Sequence, residues 1–228
     1  MHKSLVIPLA IFAGGVIVAA AVYFSASPKQ EPSTSSGQGN PALVTPVGPT
    51  DHILGNPAAP VQIVEYSDFS CAYCKAFNAT MHEIIATEGA SGNVAWILRE
   101  FPLTEIHPNA LQQAQAAECV AKTSGESAFW NFENKLFQDQ PVDPSHFGAL
   151  AEQAGVTDSI AFGDCLANAS STVGARIMAQ RQNALAIGAR GTPYSLLLAP
   201  GKAPVVMDGA YSYAAVKQLV DQALGQSN

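Results

Sequence analysis

Ser70-Cys71-Ala72-Tyr73-Cys74-Lys75 sets two cysteines three residues apart, where a strand pattern gives way to a helical one. Upstream, Val61-Gln62-Ile63-Val64-Glu65-Tyr66 alternates and is rich in β-branched and aromatic residues, which is strand behaviour. Downstream, Cys74, Phe77, Met81, Ile84 and Ile85 recur at three- and four-residue steps, the apolar stripe of an amphipathic helix. Ser70 suits the N-cap, which puts Cys71 at the first helical position. Unpaired amides and the positive end of the helix dipole favour a negative sulfur there. Thiolate is the reactive form of cysteine, so Cys71 is the expected nucleophile. Cys74, one turn further on the buried stripe, is the expected resolving thiol.

The 228 residues suffice for one core with a substantial insertion. A net charge of −7 leaves no basic surface for phosphates, which argues against nucleic acid. His2, His52, His82, His107 and His146 lack metal-ligand spacing. A C-x-x-C is also half of a structural zinc site, but Cys119 and Cys165 lie far apart and form no second one.

Residues 5–24 form an uncharged run preceded by Lys3, long enough to cross a hydrocarbon core of about 30 Å with its N-terminus inside. Residues 1–26 read as a signal anchor, or as a cleaved signal peptide with Ser25-Ala26-Ser27 as the site. Either reading exports the remainder to a compartment where disulfides persist. Residues 27–50, rich in Pro, Ser and Gly, read as a flexible tether; Leu43, Val44 and Val47 could pair as an edge segment. The folded unit is expected over 51–228.

Within it, His52–Pro57 reads as a lead-in and turn. Val94–Arg99 reads as a second strand, closing a right-handed β-α-β unit. About 104–187 lacks strand signals and reads as an all-helical insertion, with Phe129, Trp130, Phe132 and Phe137 at core spacing. Tyr194–Leu198 and Pro204–Asp208 then form a hairpin, and Tyr213–Leu224 a closing helix.

This order, with Phe69-Ser70-Cys71-Ala72-Tyr73-Cys74, Arg99-Glu100-Phe101-Pro102-Leu103 and Gly191-Thr192-Pro193-Tyr194, resembles the DsbA-like thiol-disulfide oxidoreductases. The resemblance covers roughly 51–228. It implies an α/β thioredoxin-like fold with an inserted helical domain. It also implies that Cys71 exchanges disulfides with Cys74 behind it, and that a cis-Pro193 faces the pair. Thr192 would then pair its backbone with an extended substrate by strand addition. Glu65 corresponds to the family's buried acid below the site. The best-known oxidases carry proline and histidine between the cysteines, where this chain has Ala72 and Tyr73. The Cys71 thiolate therefore depends more on helix amides than on a neighbouring cation.

Two readings of Glu65 stand side by side: proton transfer to Cys74, or an ion pair with Arg99 or Lys75. Cys119 and Cys165 are either separate buried thiols or a structural disulfide, which export, even parity and the family's extra cysteine pair favour. Such a bond, closing about 45 residues, contributes about 4 kcal/mol in the chain-entropy model. Tyr73 and Tyr194 flank the site as substrate contacts. The expected activity is disulfide donation to reduced or unfolded exported proteins by a monomer, without a cofactor. The family implies reoxidation by a quinone-linked membrane oxidase. The alternatives are a reductase or isomerase using the same site, and a peptide-binding chaperone with structural cysteines.

Overall fold

The protein's structure, a computed structural model, describes residues 39–226. The anchor or signal over 1–26 and most of the tether lie outside the described residues. Among the described residues no helix is long and apolar enough to cross a membrane.

Strands β1 (His52–Gly55), β2 (Val61–Ser67), β3 (Val94–Glu100), β4 (Tyr194–Leu198) and β5 (Val205–Asp208) form one sheet in the order β1-β3-β2-β4-β5. Only β2 and β3 run parallel; β1, β4 and β5 are each antiparallel to their neighbours. Both faces of the β2-β3 centre are covered, so its residues are buried almost without a break, as expected of parallel strands. Helix α1 (Ala72–Thr87) makes the crossover between them.

The insertion between β3 and β4 contains α2 (Ala110–Gln138), α3 (Phe147–Ala154), α4 (Ser159–Ala167), α5 (Ala169–Thr172) and α6 (Gly174–Ile187); α7 (Tyr213–Leu224) closes the chain. Helix α2 is broken at Gly125, whose φ of 81° favours glycine. Phe129, Phe132 and Phe137 after the break are core residues, as is Trp130.

Alternation along β2 divides the core in two. Val61 and Ile63 pack under α1, whereas Val64 and Tyr66 join Ala184 and Ile187 of α6 on the opposite face. Glu65 and Ser67 fall on the α1 side by the same alternation.

Two sequence expectations are corrected. His52–Gly55 is an edge strand rather than a lead-in: it pairs with Ala95–Leu98, and its buried His52 stacks on Phe129 at 3.5 Å. The tether does not run free to residue 50. Pro41–Leu43 forms a 3-10 turn, Val44 and Val47 pack on the second core, and no edge strand forms there. Arg99 anchors this segment, donating from Nη1 to Thr45 O (2.9 Å) and to Tyr66 Oη, and from Nε to Asp51 Oδ1 at 2.9 Å. Composition conceals this docking, because main-chain oxygens of the segment accept the bonds.

Candidate active site

The loop 67–71 carries the chain from β2 into α1, and a buried carboxylate shapes it. Asp68 accepts from Ser70 N (2.7 Å) through Oδ1, and from Leu103 N (2.8 Å) and His107 Nδ1 (3.0 Å) through Oδ2. Its main-chain oxygen accepts from Cys71 N at 3.0 Å. Ser70 Oγ donates to the buried Gln113 Oε1 at 2.7 Å, and Gln140 Nε2 donates to the oxygens of Phe69 and Cys71.

Ser70 is therefore not the cap. Cys71 itself occupies the N-cap, with extended φ −82° and ψ 124°, and α1 begins at Ala72. An N-cap side chain is the one that receives the free amides of the second and third helical residues. Those residues here are Tyr73 and Cys74.

The electrostatics follow. Cys71 is drawn down to about 5, first by the hydrogen bond its anion receives from the Cys74 thiol, with the Thr192 hydroxyl and the amides of Cys74 and Tyr73 assisting against burial. As a thiol, Cys71 donates to Thr192 O at 3.4 Å. The Thr192 hydroxyl is buried and has no hydrogen-bond partner among the described residues. Thr192 thus meets the sulfur across 121 residues of chain, and the Thr192–Pro193 peptide that follows it is cis. Cys74 is fully buried, and burial pushes its thiol well above the ordinary range, with Cys71 and Glu65 adding to the effect. Both cysteines are free thiols.

Beneath Cys74 lies Glu65, fully buried and opposite Leu98 and Ser195 in the sheet register. Burial raises its carboxyl to about 8. The ion pair weighed from sequence does not form. Arg99 projects to the other face of β3 toward Asp51, and Lys75 Nζ donates to Gln138 O. Glu65 Oε2 instead accepts from Trp96 Nε1 at 2.9 Å.

Tyr73 is 72% exposed beside the cysteines. Tyr194 is not available to a substrate: it is buried in the second core and its hydroxyl donates to Ile187 O. A β4 residue next to Pro193 points to whichever face alternation assigns it, and here that is the α6 face.

Cys119 and Cys165 are disulfide-bonded, tying α2 to α4 across 46 residues. Among the described residues no group of three or more His, Cys, Asp or Glu is placed to hold a metal ion.

A family model described as thioredoxin matches residues 48–221. The chain belongs to that thioredoxin family. Solved relatives with the DsbA-like fold include BdbD from Bacillus subtilis, at TM-score 0.65, 23% identity, and 83% and 97% coverage of this chain and that one. Wolbachia pipientis alpha-DsbA1 superposes at TM-score 0.68, 20% identity, and 82% and 96% coverage. Among curated sequences, disulfide bond formation protein D of Bacillus subtilis is 31% identical over 107 residues, 44% of this chain and 47% of that protein. A Na(+)/H(+) antiporter NhaA 3 of Salinispora tropica is 37% identical over 99 residues, 43% of this chain and 14% of the antiporter. The chain thus matches about a seventh of the antiporter's length and about half of the Bacillus protein's.

Asp68, Gln113, Gln140 and His107 are the site residues that sequence reading missed. Asp68 did carry a signal, since an Asp two residues before an amide it can accept from is an Asx turn. The others come from distant helices and loops.

Proposed function

We propose that the chain is an exported thiol-disulfide oxidoreductase acting as a dithiol oxidase on reduced or unfolded proteins. The observation that carries this reading is Cys71 at the N-cap of α1, its anion favoured by Cys74, Thr192 and two helix amides. A stabilised thiolate favours the reduced pair, which makes the disulfide the stronger oxidant.

In the oxidised protein a substrate thiolate attacks Cys71 Sγ. The Cys71–Cys74 bond breaks, and Cys74 leaves with the electron pair and takes a proton from Glu65. A second substrate thiolate attacks the substrate sulfur of the mixed disulfide and expels the Cys71 thiolate. Two electrons pass from substrate to protein, and no external cofactor takes part. Thr192 offers its backbone to an extended substrate, Tyr73 offers an exposed ring beside it, and Pro193 holds that loop against the sulfur. A quinone-linked membrane oxidase would restore the disulfide, and residues 5–24 would tether the monomer to the membrane.

The test is the equilibrium of the 71/74 pair with glutathione, together with oxidase and reductase assays. A potential toward that of the strong oxidases, about −120 mV, supports the reading, whereas one near thioredoxin's, about −270 mV, reassigns the protein as a reductase. Cys71→Ala should abolish exchange; an unmodified chain without exchange activity that, like Cys71→Ala, still holds unfolded peptide would instead be a peptide-holding module.

A further inference from the structure

Three acids are buried in this part of the molecule: Glu65 of β2, Glu100 of β3 and, packed beneath α1, Glu133 of α2, which is fully buried. It accepts a hydrogen bond from Asn78 Nδ2 through one oxygen, and its second lies 3.5 Å from His82 Nε2. The imidazole meets Trp96 edge-on at 5.3 Å. That same indole donates to Glu65. His82 is about one-third exposed, at 34%, and opens onto a groove of about 360 Å³ lined also by Lys75, Asn78, Ala79 and Phe137. A continuous set of contacts therefore runs from the surface through His82 and Trp96 to the acid under Cys74.

Two carboxylates in one dry region do not both ionise readily, and their partners decide which does. Glu133 has an amide donor and an imidazole able to carry the compensating positive charge. Glu65 has a neutral indole, and its Oε1 has no hydrogen-bond partner among the described residues. Burial raises both carboxyls, but at Glu133 the imidazole of His82 and the amide of Asn78 work against it, so the negative charge falls on Glu133 in preference to Glu65.

We propose that Glu133, set by Asn78 and His82, is a positioning residue for disulfide exchange: its carboxylate, on the far side of Trp96, keeps the Glu65 carboxyl protonated, ready to supply the proton that Cys74 takes as it leaves. This rests on the exchange chemistry proposed above. When a substrate thiolate breaks the Cys71–Cys74 bond, the electron pair goes to Cys74 and the proton passes from Glu65 to that sulfur. The resulting Glu65 carboxylate regains a proton from solvent. The groups bearing on Glu65 are Ser67 of β2 and Trp96 of β3, which favour its anion, and Glu133 of α2 with Cys71 and Cys74 of α1. Glu133 in turn faces His82 and Asn78 of α1, and it bears on Glu100 of β3, a buried acid that Glu118, Asp68 and Arg176 also influence.

The test is carboxyl-carbon NMR on the full chain labelled in glutamate, in the reduced state. Glu133→Gln is expected to lower the Glu65 midpoint by roughly one pH unit, and Glu133→Asp to restore part of the shift. The pH profile of exchange with a reduced peptide should move by the same amount. His82→Gln, which takes the imidazole away from Glu133 and keeps both carboxylates, should lower the Glu65 midpoint in the same direction. That variant decides the matter if Glu133→Gln fails to fold. An unmoved Glu65 midpoint in a folded Glu133→Gln or His82→Gln chain, or a midpoint that moves without the exchange profile, overturns the proposal. Absence of exchange in the unmodified chain overturns the oxidoreductase reading instead, and the exchange role falls with it, while the Glu65 titration still reports the coupling itself.

Discussion

Cys71 Sγ and Thr192 O lie 3.4 Å apart, although 121 residues separate them in the chain. A thiol at that distance donates to the carbonyl; a thiolate cannot, and it turns to the Thr192 hydroxyl, the Cys74 thiol and the amides of Tyr73 and Cys74. Alkylation of reduced protein should therefore follow a midpoint of about 5 at Cys71, against about 8.5 for an ordinary thiol. Thr192→Val removes one neutral donor to the anion and should raise that midpoint by about one unit. Iodoacetamide rates across pH 4–9 (roughly the span between those values) measure both. An unchanged midpoint in Thr192→Val would leave the hydroxyl without a part in holding the anion.

Glu65 makes stability depend on pH. Its carboxyl is raised from 4.5 to about 8 in the folded chain by burial, so the native state keeps a proton the unfolded chain has released. That contribution is complete below 4.5 and is lost as pH rises through about 8. Glu65→Gln should flatten this part of the stability curve and leave the protein more stable than the unmodified chain at pH 8 by a few kcal/mol. Urea titrations of both proteins at several pH values read the difference directly. Parallel curves would mean that Glu65 ionises freely where it sits.

Period and punctuation made much of this architecture legible. Tyr194–Leu198 and Tyr213–Leu224 lie where their patterns put them, since each is a plain apolar run or stripe between strong breakers. His52–Gly55 was hidden because four residues at a sheet edge show too little alternation, and its buried histidine reads as polar. The cysteine pair was legible from spacing, but the cap was displaced by one residue. Ser70 is drawn to Gln113, a partner 43 residues away, and local sequence carries no trace of that bond. Tyr194 was misassigned for a related reason: closeness to Pro193 in sequence does not decide which face of β4 a side chain takes.

Asp68 holds the active-site loop to the segment after β3. Asp68→Ala would leave Ser70 N, Leu103 N and His107 Nδ1 without their shared acceptor. Losing charge-assisted bonds at a buried carboxylate should cost about 3 kcal/mol. For a domain of this size that lowers Tm by about 6–12 °C. Asp68→Asn keeps one acceptor and should lose less. Thermal unfolding followed by circular dichroism ranks the three proteins. The Cys71 alkylation midpoint should rise in Asp68→Ala, because the cap geometry loosens with the loop. A variant that unfolds at the same temperature would show that Gln113 and Gln140 suffice to hold it.

Arg99 joins the sheet to the segment that precedes it. Its guanidinium is buried between Asp51, Tyr66 and the main-chain oxygen of Thr45. Asp51, although burial works against its charge, is held below its ordinary value by Arg99. Arg99→Met removes the cation and strands a largely buried carboxylate, an error that costs about 3–5 kcal/mol. Asp51→Leu added to Arg99→Met should recover most of that loss, because an apolar pair of similar volume carries no uncompensated charge. The two variants share a second effect. In both, residues 40–50 lose the donors to Thr45 and Pro46, so a protease should cut that segment faster than in the unmodified chain, including in the double variant with its stability restored. Limited proteolysis beside urea unfolding separates the two effects. If the stable double variant resists cleavage as the unmodified chain does, the hydrogen bonds of Asn183 with Leu43 O and Thr45 N and the packing of Val44 and Val47 hold the segment without Arg99.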